Sequence, residues 1–341
     1  MKELFQEAYS LVIFLFVTII SALIWREVSP EVTFVDKEWF PHLLNTLLAI
    51  GFYASVRSIS TSGFKKDFGS IVSFISVGVF VKTLLVGTFF YLITGELFGF
   101  ALGIIVAQID PLSVPAVLTE QARLLSQKGK NLLLSWASFD SPISALFTLL
   151  CIQLVFPANA HWAESLVLLS MNALMPLIIY GLLKTPLRNS NAFQVILLAI
   201  VFVIAIKFEL LLGLAVTALL LRPHIYFSLD RLVAGAYVVS LVLLGYFVAM
   251  EINVLYAIPV AALVMLAQFC TVNILSKKVD ASDKRYLQFA QQNGVTAIVL
   301  AIYFEQFLPG ITSIIAPTIV LVNVAHLVVY THLNRLSSVE A

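Results

Sequence analysis

The sequence predicts an all-α polytopic membrane protein of about twelve transmembrane helices, and three observations carry that prediction. The 341 residues are 60% hydrophobic and only 11% charged, with a mean hydropathy of +1.00. Soluble domains carry about 25% charged residues, so a soluble fold is excluded. Apolar stretches of roughly 20 residues, the length that crosses a bilayer as a helix, recur from end to end. A membrane β-barrel would show short alternating strands instead, and none is present. The third observation is the placement of Lys and Arg, which depends on the spans.

The spans read as residues 9–25, 40–56, 69–93, 97–118, 131–155, 164–183, 191–206, 209–222, 232–250, 253–276, 286–305 and 309–331. The seventh and eighth are short and joined by the bare turn Lys207-Phe208-Glu209. The first, from Tyr9 to Trp25, lacks a small-residue cleavage site and reads as a retained span. The whole chain, 1–341, reads as one transmembrane domain whose main partner is the lipid bilayer. A formal charge of +1 gives no reason for a nucleic-acid partner. Cys151 and Cys270 both fall in apolar spans and argue neither disulfide nor compartment.

The basic residues test this layout. The loops holding RSISTSGFKKD, TEQARLLSQKGK, KTPLRN, RPHIYFSLDR and SKKVDASDKR alternate with loops almost free of Lys and Arg. With both termini, they place 16 of the 20 basic residues on one side, against Arg26, Lys37 and Lys207 on the other and Lys82 within a span. That asymmetry puts the basic loops and both termini in the cytoplasm. A wrong number of spans would scramble the alternation.

Few ionisable groups remain at depth: Lys82, Asp110, Asp140 and, less centrally, His326. A charge at the bilayer centre costs about 3 kcal/mol even on insertion scales, so such groups are functional candidates by default. A structural ion pair or a helix–helix hydrogen bond is the plainer reading of each. Asp110 lies about nine residues before the cytoplasmic end of the fourth span, and Asp140 about nine after the cytoplasmic start of the fifth. Both therefore sit roughly 14 Å deep on consecutive antiparallel helices. Two acidic groups at matched depth suit one water-accessible path for a cation or proton.

The stretch AQIDPLSVP (107–115) interrupts its own helix. Pro111 has no amide proton and its ring clashes with the preceding turn, so the helix opens there. Asp110, the residue before it, is pushed towards extended geometry. Freed carbonyls in hydrocarbon must be buried in protein or line a wet cavity. Such a broken helix with a carboxylate is the recurring ion site of secondary transporters. On the fifth span Ser138, Ser141 and Ser144 lie within about a turn of Asp140, and the last two share its side. Hydroxyl oxygens beside a carboxylate suit a hard monovalent cation, although serines also satisfy themselves on helix carbonyls.

Two stretches then resemble a known family. AQIDP is similar to the Thr-Asp-Pro motif of monovalent cation:proton antiporters, the sodium/hydrogen exchanger transmembrane domain. SWASFDSP resembles their next helix, where an Asn-Asp or Asp-Asp pair holds the ion-binding Asp. The spacing of 30 residues between Asp110 and Asp140 fits as well. Downstream, QNGVTAIVLA (292–301) resembles the glycine-containing stretch of a second broken helix, with Gly294 easing the break, and VMLAQFCTVN (264–273) the helix before it.

The resemblance implies inverted repeats, with spans three to five related to spans ten to twelve and broken helices four and eleven crossed. It divides the chain into a core bundle, about 69–155 and 253–332, and a dimer-forming scaffold, about 9–56 and 164–250. It implies a homodimer in a bacterial inner membrane. It calls for no cofactor, only the transported cation and protons.

The chain departs from the pattern. The family's Thr before Asp110 is Ile109, the Asn or Asp before the key Asp is Phe139, and an upstream acidic position is Ser135. Basic positions of spans ten and eleven are Gln268 and Asn293. Lys82 lies in span three, which the repeat relates to span ten. There it is expected to supply the missing positive charge and to pair with Asp110 or Asp140 when no cation is bound.

The activity implied is exchange of Na+ or K+ for H+ by competition at Asp140, since burial penalises a bare carboxylate and either ion relieves it. A sodium-coupled organic anion symporter of similar architecture would want Arg or polar groups in a cleft, and none cluster. A non-transporting membrane sensor or scaffold would explain the lost polar partners. An enzyme is not indicated: no nucleotide-binding loop, zinc cluster or nucleophile–base arrangement is apparent.

Overall fold

The computed structural model describes residues 16–27, 37–59, 61–110, 114, 125–155, 162–224, 228–250, 252–275, 277, 279–305 and 307–340. Among these the chain is helical and contains no strand. The helices are α1 (16–27), α2 (Trp39–Ser58), α3 (Thr61–Thr94), α4 (Phe98–Ala107), α5 (Gln127–Val155), α6 (Trp162–Leu182) and α7 (Asn191–Phe208). They continue as α8 (Leu211–Leu220), α9 (Leu229–Met250), α10 (Val254–Ile274), α11 (Ala281–Gln288), α12 (Val295–Glu305) and α13 (Ile311–Glu340). Each of the twelve expected spans contains a helix. Among the described residues, six helical stretches are long and apolar enough to cross a membrane, and α4 and α8 are shorter apolar helices.

Local chemistry sets the ends. α3 stops at Gly95, whose φ of +74° and N–H bond to the Tyr91 carbonyl close the last turn. The turn between α7 and α8 is as tight as the sequence suggests. Glu209 takes a left-handed φ of 58°, and the Leu210 amide bonds back to Ala205 O at 3.0 Å. Glu305 acts at the next helix start. Its carboxylate accepts from the Gly310 and Thr312 amides and so caps the start of α13.

α3 packs on α4, α5 and α10, while α10 and α12 pack on α13; α8 packs on α2, α6 and α7. α2 contacts α5 and α9 as well, joining the two groups. Gly103 lets α4 press on α3, because a Cβ there would stand 2.8 Å from Thr83 backbone atoms. Small residues permit such close approach where lipid offers no hydrophobic drive to helix pairing.

The distribution of polarity is inverted relative to a soluble protein. Leu92, Leu177 and Leu255 are exposed, whereas Lys82, Gln108, Asp110, Asp140, Gln268, Gln291, Asn293, Asn323 and His326 are buried. Helices that face lipid with leucine and each other with amides and charges match the expected membrane fold. The buried polar groups converge where α4 and the α11–α12 segment are interrupted.

Candidate functional site

α4 ends at Ala107, and Gln108 is already extended, with φ −77° and ψ 150°. The break therefore opens three residues ahead of Pro111, which itself lies outside the described residues. Its chemistry still explains the opening. In a continuous helix the amide of residue 111 would bond to the carbonyl of residue 107, and proline has none to offer. Ala107 O is instead taken by Lys82, whose Nζ donates to it at 2.6 Å.

The other carbonyls of the opened turn are also accounted for. Gln108 Nε2 donates to Ile105 O at 2.8 Å. Val106 O and Gln108 O each accept from both Gln291 Nε2 and Asn293 Nδ2, at 2.9–3.1 Å. Buried backbone groups must find partners, and here they find them on the second interrupted helix. Asn323 on α13 fixes that segment in turn, accepting from the Asn293 amide at 3.0 Å and donating to Asn293 O at 2.7 Å.

Both aspartates sit in this crossing. The amide of Ile109 donates to Asp140 Oδ2 at 2.8 Å, joining α5 to the break in α4. The amide of Asp110 donates to Gln292 O at 2.8 Å, joining the two breaks to each other. The Asp110 carboxylate rests against Gly294, immediately before α12. A helix N-terminus carries partial positive charge and favours an anion there.

The second interruption repeats the first with different side chains. α11 ends at Gln288, and residues 290–294 run irregularly to α12. Leu287 O accepts from Gln268 Nε2 at 2.8 Å, Tyr286 O from the Tyr330 hydroxyl at 2.6 Å, and Phe289 O meets His326 Nδ1 at 2.8 Å. Lys82 on α3 and Gln268 on α10 thus do the same work at opposite breaks, each binding a carbonyl at the end of the first half-helix. His326 acts as a packed hydrogen-bonder against Tyr330, with ring centroids 4.1 Å apart.

The structure places the sequence candidates as follows. Lys82 is fully buried, with Nζ 5.1 Å from the centroid of the Trp136 ring, and Asp140 is the carboxylate whose charge reaches it. Its Nζ hydrogen bond goes to the Ala107 carbonyl. Ser138 is buried and its hydroxyl donates to Leu134 O at 2.6 Å, the backbone bond that serines make in membrane helices. The side chain of Ser141 lies outside the described residues. Gly294 lies at the crossing.

Gln108, Gln291, Asn323 and the carbonyl-binding role of Gln268 were not foreseen. A glutamine or asparagine within an apolar span was the available signal, since each must find a buried partner. Asp283 was also missed. Buried in the first turn of α11, it accepts from the Ser126 amide at 2.8 Å and from the Ser126 hydroxyl, capping α5 across 157 residues.

These elements define a helical membrane fold with two interrupted helices that cross among buried polar groups. The same fold occurs in solved structures of the sodium proton antiporter MjNhaP1 from Methanocaldococcus jannaschii. The structure at pH 8 superposes with a TM-score of 0.67 at 15% identity, covering 98% of each chain. An electron-microscopy structure of that antiporter gives 0.65 at 16% identity over 88% of this chain and 83% of the other. No family model matches the sequence, and no curated protein does.

Proposed function

We propose that this protein exchanges a monovalent cation, Na+ or K+, for protons across a membrane, with cation and proton competing at Asp140. The observation that carries the reading is the bond from the Ile109 amide to Asp140 Oδ2 inside an interrupted helix. It ties an ionisable group on α5 to the crossing, where, among the described residues, opened backbone and carboxylates meet. Asp110, at the head of α12, holds the break and its field. Lys82 supplies a positive charge next to Asp140, and Ser138 and Ser141 add oxygens near the ion. The likeness to a sodium proton antiporter supports the same reading.

In this reading a core bundle, about 69–155 and 253–332, moves against a scaffold, about 9–56 and 164–250, through which two copies pair. The basic loops and both termini face the cytoplasm of a bacterial cell. Purified protein in liposomes holding a pH dye, challenged with Li+, Na+ and K+ in turn, tests the proposal. Cation-dependent proton flux in the wild type and none in Asp140→Asn is the expected result. Cation binding without flux would favour the sensor reading and end this one.

A further inference from the structure

The hydrogen-bond pattern of the crossing leaves a chemical residue that the exchange reading has not used. Gln108 and Gln291 both commit the nitrogen ends of their amides to carbonyls: Ile105 O for Gln108, and Val106 O and Gln108 O for Gln291. A carbonyl only accepts, so each amide's orientation is fixed and its oxygen is turned away from those bonds. Both Oε1 atoms are buried and have no hydrogen-bond donor among the described residues. Gln268 Oε1 and His326 Nε2 repeat the pattern at the second break, where the Phe289 carbonyl fixes the imidazole as the Nδ1–H tautomer. On these four side chains what is left over is uniformly an acceptor, while nearby Trp136 Nε1, a donor, and the Thr83 and Thr296 hydroxyls are likewise buried without a partner among the described residues. Acceptors without donors are what a cation requires, and amide and carboxylate oxygens are the ligands that suit a hard monovalent one.

The positions matter as much as the atoms. Gln108 is the residue next to Ile109, whose amide is bonded to Asp140, and Gln291 is next to Gln292, whose carbonyl holds the Asp110 amide. Ile109 and Phe139, at the positions where the resemblance leads one to expect an oxygen-bearing side chain, bring none. We infer that Gln108 and Gln291 present their amide oxygens as ligands to the monovalent cation that enters beside Asp140, and so set its affinity. The inference rests on the exchange reading for its context, but it concerns binding and is measurable without transport.

Gln108 is the residue to change, because its nitrogen bonds only within its own helix, whereas Gln291 also clamps the two breaks together. In proteoliposomes, Gln108→Leu raises the KM for the preferred alkali cation about tenfold, the scale of one lost charge-assisted contact. Its maximal rate stays near the wild-type value, and Gln108→Glu, which keeps an oxygen at the position, does not show that rise. Melting of the detergent-solubilised protein provides the independent arm. Alkali chloride raises the wild-type Tm relative to choline chloride, and Gln108→Leu loses that increment. A folded Gln108→Leu protein with unchanged KM and an unchanged alkali increment overturns the inference. A wild type that carries no proton-coupled flux, yet shows an alkali increment that Gln108→Leu abolishes, overturns exchange and upholds the ligands.

Discussion

The Asp110 carboxylate lies against Gly294, so that a Cβ at 294 would stand 2.4 Å from Asp110 Cγ and 2.6 Å from each oxygen. Two residues 184 positions apart are thereby in contact where the interrupted helices cross. Gly294→Ala must push the carboxylate away from the head of α12 or shift the crossing segments. A misfit of this kind costs about 1–3 kcal/mol. A lowered Tm in detergent, with reduced cation-driven proton flux, is expected; a variant that matches the wild type in both would contradict the contact.

Asp140 and Asp110 are expected to fail differently. Asp140→Asn removes the charge that cation and proton share in the proposed cycle, so flux falls to the level of empty liposomes while the asparagine oxygen can still accept from Ile109. Asp110→Asn weakens the attraction to the α12 N-terminus. Its first symptom is a lower Tm, with flux reduced but measurable. Equal and complete loss of flux in both would remove the division of roles.

Lys82 holds a carbonyl that Pro111 leaves without a helical partner. Lys82→Met leaves Ala107 O buried and unsatisfied, which costs about 1–3 kcal/mol, and Tm should fall accordingly. Lys82→Gln can still donate to Ala107 O and should melt closer to the wild type. It deletes the positive charge, however, so the pH profile of exchange should shift, and a superimposable profile would show that Lys82 acts through its hydrogen bond alone.

Asp283 caps α5 from the other half of the chain. Asp283→Ala orphans the Ser126 amide at a helix start and should lower stability by about 1–2 kcal/mol. Ser126→Ala keeps that amide bond but loses both the hydroxyl contact to Asp283 and the cap its Oγ gives the Gly129 amide at 3.0 Å, and should cost a similar amount. The two variants are compared by thermal melting in the same detergent.

The helices were legible because lipid imposes a length and a composition on every span, and alternation of basic loops checks their number. The first break was legible too, since Pro111 cannot donate and Asp110 precedes it. The sequence placed the opening at Pro111, but the helix ends at Ala107. That shift arises because Ile109 and Asp110 turn their amides to Asp140 and Gln292 rather than to the helix. No local rule anticipates partners 31 and 182 residues away.

What the amino-acid order determined alone is where the chain must cross the bilayer, where one crossing must break, and which few charges remain inside. Those follow from properties each residue carries with it: apolar surface, a missing amide proton, a charge that lipid penalises. Only the tertiary structure decided who answers the broken helix: Lys82 on Ala107, Gln291 and Asn293 on Val106 and Gln108, Gly294 yielding room to Asp110. The physical reason is that a freed carbonyl in hydrocarbon demands a donor but names none, and only the packing of α3, α10 and α13 around the crossing selects it.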